Sequence, residues 1–194
     1  MILKKMIDIC KKEKCIRVFE DSNSGARWIS GESIAGAMET EAELGADEIL
    51  YFMDLPETAA ESMNVINEPA PLTLPSVTSY DPPLERLQYS LNCRGTVLQP
   101  FVSEKGVLFA DMARLSVFSD VDNKKYYLSK WNNSYCILIY SGVWMAGLVM
   151  PVIINVPEMI YFSDKLNETV KQAKRNKFCC AGTEKIDLLD GLEE

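Results

Sequence analysis

The stretch Asn132-Asn-Ser-Tyr-Cys-Ile-Leu-Ile-Tyr-Ser-Gly-Val-Trp-Met-Ala-Gly-Leu-Val-Met-Pro-Val-Ile-Ile-Asn-Val-Pro157 contains no charged residue. It is long enough to span a bilayer, which takes about 20 apolar residues. Ser141-Gly142 divides it near the middle, Pro151 interrupts its second half, and both flanks are rich in β-branched and aromatic side chains. These features predict two buried strands, Tyr135–Tyr140 and Val143–Ile154, joined at a Ser-Gly turn, and not a transmembrane helix. Strands so free of charge are buried on both faces, or buried on one and covered by a partner on the other.

Working back from this pair, Leu87–Leu91, Thr96–Val102, Val107–Phe109 and Lys125–Leu128 read as further strands, with Asp111–Val117 ambiguous. Ser103-Glu-Lys-Gly106, Asp120-Val-Asp-Asn123 and Asn132-Asn-Ser134 supply turns. Beyond the pair, a helix from Glu158 or Ser163 to Lys177 is expected to close the unit. Its Lys171, Lys174, Arg175 and Lys177 gather where positive charge suits the helix C-terminus. The expectation is a mostly antiparallel α+β domain over residues 86–178 and an acidic amphipathic tail over 179–194.

The first part of the chain reads differently. Ile2–Lys12 has the spacing of an amphipathic helix, and Cys15–Phe19 and Ala26–Ile29 flank the turn-like Asp21-Ser-Asn-Ser-Gly25 as a hairpin would. Gly31–Gly45 predicts an irregular connection or a weak helix. Asp47–Leu55 predicts a short helix that packs through Ile49, Leu50, Phe52 and Met53. Thr58-Ala-Ala-Glu61 has capping-box spacing, which predicts a further helix to about Ile66. Residues 1–66 therefore form a small α+β helix/hairpin/helix unit, near the size at which a core alone is marginal. Five of the nine prolines fall between Pro69 and Pro83, which makes residues 67–85 a linker or an extended, surface-hugging connection.

Charge is just as uneven. The 194 residues carry 20 basic and 28 acidic side chains, a formal charge of −8. Residues 31–85 hold twelve acids and no base, so this one stretch more than accounts for the excess. Bulk charge disfavours nucleic acid, and an electrostatic partner belongs at the acidic stretch. There is no histidine. That excludes Ser-His-Asp and Cys-His catalysis, histidine-ligated metals and an imidazole switch near neutral pH.

The remaining chemistry is sparse. Cys10, Cys15, Cys179 and Cys180 do not have zinc-site spacing, since the first two are separated by four residues across an expected helix-to-strand break and the last two are adjacent. The six cysteines, with Cys93 and Cys136, read as reduced thiols in a cytoplasmic protein. Lys4, Lys5 and Asp8 break the N-terminal apolar run, so no secretory signal is expected. Glu39, Glu41 and Glu43, with Asp47 and Glu48, lack a calcium-loop pattern and read as a solvated acidic face, as does Asp120-Val-Asp122-Asn123. No phosphate loop is present, and Ser163-Asp-Lys165 carries no weight as a nucleophile and base.

No catalytic, metal or cofactor-binding residue is assigned, and no cofactor is expected. The expected function is that of a non-catalytic interaction or accessory protein with a protein partner or self-association. The alternative is a small histidine-independent enzyme using carboxylate, tyrosine or thiol groups, with or without a metal. The tail Glu184-Lys-Ile-Asp-Leu-Leu-Asp-Gly-Leu-Glu-Glu194 suits either a docking peptide or a last turn packed on its own domain.

Overall fold

A computed structural model describes residues 2–38, 44–78, 81–104 and 106–152, and residues up to Val152 belong to one compact unit. The charge-free stretch forms two antiparallel strands, β10 (Ser134–Ser141) and β11 (Trp144–Val149), around the Ser141–Trp144 turn with Gly142 at φ 59°. Ile137, Leu138 and Ile139 of β10 are fully buried although their side chains alternate between faces, as a strand covered on both sides requires. No helix among the described residues is long and apolar enough to cross a membrane.

Where the sequence predicts a separate helix/hairpin/helix unit beside a mostly antiparallel one, the structure has a single seven-stranded mixed sheet drawn from both ends of the described chain. The helix α1 (Ile2–Glu13) and the hairpin β1 (Cys15–Glu20) and β2 (Arg27–Ser30) form as expected. The acidic connection then supplies an unexpected strand, β3 (Ile34–Ala37), which pairs with β2 on one side and β11 on the other. That pairing merges the two expected units. It brings Gly36 opposite Gly147, and a side chain at Gly147 would overlap the Phe118 ring and sit 2.8 Å from the Ala35 carbonyl. Gly147 is small because the Phe118 ring and the Ala35 backbone close on it at this point.

Helix α2 (Ala46–Phe52) follows, then α3 (Glu57–Glu61), which stops well short of Ile66. Pro56, not Thr58, stands at the start of α3, and the β-branched pair Val65 and Ile66 continues as strand β4 (Asn64–Asn67), parallel to β1. Phe52, expected to pack, is 66% exposed, while Ile49 and Met53 are buried. The chain then enters a four-stranded sheet: β5 (Glu85–Arg86), β6 (Leu91–Cys93), β7 (Thr96–Ser103) and β8 (Gly106–Asp111). The expected strand Leu87–Leu91 is largely absent. Between β5 and β6 the backbone leaves the ladder, and buried Gln99 donates from Nε2 to the Leu87 and Pro100 carbonyls at 2.6 and 3.1 Å.

The ambiguous segment is a helical turn, α4 (Met112–Leu115), capped by Asp111 accepting from Ala113 N–H, and a 3-10 turn at Ser116–Phe118. It leads to β9 (Lys124–Trp131). The large sheet has the order β4-β1-β2-β3-β11-β10-β9, and strand accounts for 43% of the structure against 21% helix. One face packs Met6, Cys10, Ile16, Ile29, Ile137 and Ile139 with Ile49 of α2 and with Phe101 and Ala110 of the small sheet. The other gathers Phe19, Trp28, Leu138, Tyr140 and Leu148 beneath Leu72, Leu74 and Val77 of the Pro-rich segment. The expected closing helix, the tail, Cys179, Cys180 and the Lys171–Lys177 cluster lie outside the described residues, as do Glu39, Glu41 and Glu43.

Candidate functional site

A seven-stranded open sheet has two edges, and the structure treats them unequally. At β9 the register with β10 sets Tyr126, Leu128 and Lys130 opposite Ile139, Ile137 and Tyr135. The Tyr126 carbonyl accepts from Leu84 N–H at 2.7 Å and so points away from β10. Backbone groups in a strand repeat every second residue, so the N–H and C=O of Leu128 and Lys130 point outward as well. The hairpin geometry agrees. Trp131 and Ser134 flank a two-residue turn in which Asn132 and Asn133 have φ of 48° and 64°, the type I′ form whose flanking pair shares both hydrogen bonds, leaving Lys130 outward.

Beyond Tyr126, β9 has no backbone partner on this side among the described residues. The open length lies in a groove of about 640 Å³, the size of a typical ligand cleft. Pro82–Glu85 forms one wall and Val102–Glu104 of the small sheet another, with Leu128, Ser129 and Lys130 at the base. Three acids, Asp81, Glu85 and Glu104, line the groove with one base, Lys130, whose ammonium lies 5.1 Å from the Tyr135 ring centre, within cation–π reach. Asp81 is itself fixed: its carboxylate accepts from the Thr78 N–H at 2.6 Å and from the Thr78 hydroxyl at 3.0 Å, which hold it ionised below the ordinary range.

Three of the described thiols, Cys10, Cys15 and Cys136, are placed where they react poorly. Cys10 is buried in α1, and burial, then the nearby Glu13 and Cys15 charges, push its thiol up to about 12. Burial alone takes Cys136 to about 12. Cys15 is also raised, by burial and then Glu32. A thiolate nucleophile is scarce under such conditions. No three Cys, Asp or Glu side chains gather as a metal site among the described residues.

Asp47 and Glu48 serve the fold: Glu48 accepts from Gly45 N–H at the start of α2, and Asp47 accepts from Asn67 Nδ2 at 2.7 Å. Asp120 accepts from Lys5 Nζ at 3.0 Å, tying α1 to the end of the 3-10 turn. Asn123 turns the chain at φ 48°, and the Asp122 carbonyl accepts from Ser141.

The groove was missed from sequence because its residues come from three segments. One signal was present: the Asn132-Asn133 turn implies that the preceding strand runs to Trp131, past the expected end at Leu128. Comparison with known proteins matches no family model, no curated protein and no solved structure.

Proposed function

We propose that this protein is a non-catalytic interaction module that accepts an extended segment of a partner protein along the open edge of β9. The observation that carries the reading is the outward Leu128 and Lys130 backbone in an acid-lined groove. Strand addition uses main-chain hydrogen bonds for affinity and alternate side chains for specificity, and this edge offers both. The three groove acids against one engaged lysine select a segment carrying lysine or arginine at alternate positions. The free thiols at Cys10, Cys15, Cys93 and Cys136 favour a cytoplasmic setting.

Panning a phage-displayed library of short random peptides tests the proposal. Enriched peptides should carry alternate basic residues and shift the Leu128 and Lys130 amide resonances. Lys130→Pro removes one outward N–H without touching the ladder to β10, since proline is tolerated on an edge whose N–H faces away from the sheet. It should weaken binding about tenfold, the worth of one backbone hydrogen bond at roughly 1.4 kcal/mol, whereas Lys130→Ala should stay within about threefold. Failure to enrich any peptide, or equal loss in both variants, would overturn the reading.

A further inference from the structure

A second cavity, about 180 Å³, opens on the face that carries Trp28, far from the β9 groove in composition and chemistry. Asp21, Trp28, Tyr140, Trp144 and Met145 are among its walls, and among the described residues no basic side chain lines it. Asp21 is 4% exposed. Its Oδ1 accepts from Leu74 N–H at 3.1 Å, and its Oδ2 accepts from Ser24 N–H at 3.0 Å and the Ser24 hydroxyl at 2.6 Å. The Asn23 N–H adds a fourth hydrogen bond, so neutral donors satisfy the lone pairs of the carboxylate without cancelling its charge. Burial would raise the carboxyl, but these hydrogen bonds outweigh it and hold the group ionised, below its ordinary range. The result is a buried negative charge with neutral donors and, among the described residues, no basic partner lining the cavity, whereas buried charges are ordinarily paired.

Two further observations point the same way. Trp28, 2% exposed, has an indole N–H with no hydrogen-bond partner among the described residues, a buried donor left with its desolvation penalty. Trp144 is 42% exposed at the cavity mouth, beside fully exposed Val143, an arrangement that leaves apolar surface in water when the cavity is empty. Three aromatic residues around an anion attract a positively charged, weakly hydrated group, as in the aromatic sites that take quaternary ammonium. The cavity volume is close to that of a single ring or a trimethylammonium group, since a cavity of about 150 Å³ holds benzene.

We propose that this cavity binds a small alkylammonium ion bearing an acceptor oxygen, of the choline class. Asp21 and the aromatic walls take the cation, and the oxygen accepts the Trp28 indole N–H. The site is independent of the β9 groove.

Choline and its neutral carbon isostere, 3,3-dimethylbutan-1-ol, are the probes, followed by the indole N–H resonances of uniformly ¹⁵N-labelled full-length protein. Choline at millimolar concentration should move the Trp28 and Trp144 indole peaks, with Trp28 shifting downfield as its N–H gains an acceptor. The isostere should bind about tenfold more weakly, and Asp21→Asn should cost choline about tenfold while leaving the isostere unchanged. Trp144→Leu, at an exposed position, gives a second variant with an expected loss of about fivefold, should Asp21→Asn disturb the turn. Equal binding of the two probes, no indole shift with choline, or choline affinity unchanged in both variants would each overturn the proposal.

Discussion

The two edges of the large sheet solve one problem in opposite ways. Strand β4 is four residues long, and Asn67 at its end accepts from Ala46 N–H at 2.7 Å and donates to Asp47, locking α2 beside it. Strand β9 is eight residues long, and among the described residues only the part near Tyr126 is covered, by Leu84. An open edge is a template for pairing, and proteins ordinarily shorten, cover or charge it. The first edge is shortened and tied. Among the described residues the second is left open over Leu128–Lys130 and has Asp81, Glu85 and Glu104 along its groove, the contrast on which the proposed basic partner rests.

The largest test asks whether the two edges belong to one cooperative sheet. Gly147 sits where β11 joins the N-terminal strands to β10, and Gly147→Val would force Phe118 and the Ala35 backbone apart. A loss of about 3 kcal/mol is expected, with one unfolding transition in urea followed by tryptophan fluorescence. Two transitions would show that the edges belong to separately stable halves.

Next comes hydrogen exchange along β9. Leu128 and Lys130 amides should exchange about a hundredfold faster than those of Tyr127 and Ser129, which face β10, and a bound basic peptide should slow the former pair. Uniform protection along the strand would mean that this edge is already covered. At the other edge, Asn67→Ala should cost about 1–2 kcal/mol in urea denaturation, because it leaves the Ala46 N–H without its acceptor and the Asp47 carboxylate without its donor. An unchanged midpoint would remove the claim that β4 is tied.

What was legible in the sequence follows the same division. The α1 helix, the β1–β2 hairpin and the β10–β11 pair carry local signals, namely apolar spacing, turn residues and an absence of charge, and all of them formed, although β11 ends at Val149, before Pro151, and not at the expected Ile154. Strand β3 carries almost none. Ile34-Ala-Gly-Ala37 is too small and featureless to read as a strand, and it exists because β2 and β11 pair with it from both sides. The single sheet was therefore hidden in its least expressive residues. The β9 groove was hidden for another reason, since Asp81, Glu104 and Lys130 meet only through tertiary pairing. Asp21 was visible merely as a turn residue, and its burial depends on Leu74 from the far Pro-rich segment.

That segment links the two edges, leaving β4 after Asn67, laying Leu72, Leu74 and Val77 on one face of the sheet and reaching β9 at Leu84. Asp21 pins its midpoint through Leu74, and Val77 N–H reaches the Tyr140 hydroxyl. The smallest expected effect is the acid dependence of this pin. Hydrogen bonding outweighs burial and holds the folded Asp21 carboxyl below its ordinary value of about 3.9, so its contribution to stability is complete above that value. It is lost as the pH falls through the lower, folded value. The stability gap between the natural protein and Asp21→Asn should accordingly be constant from pH 7 to about 5 and narrow below about 4. Urea titrations at stepped pH would show it, and a gap that widens on acidification would mean that Asp21 is held neutral and cannot pin the strap that joins the edges as an anion.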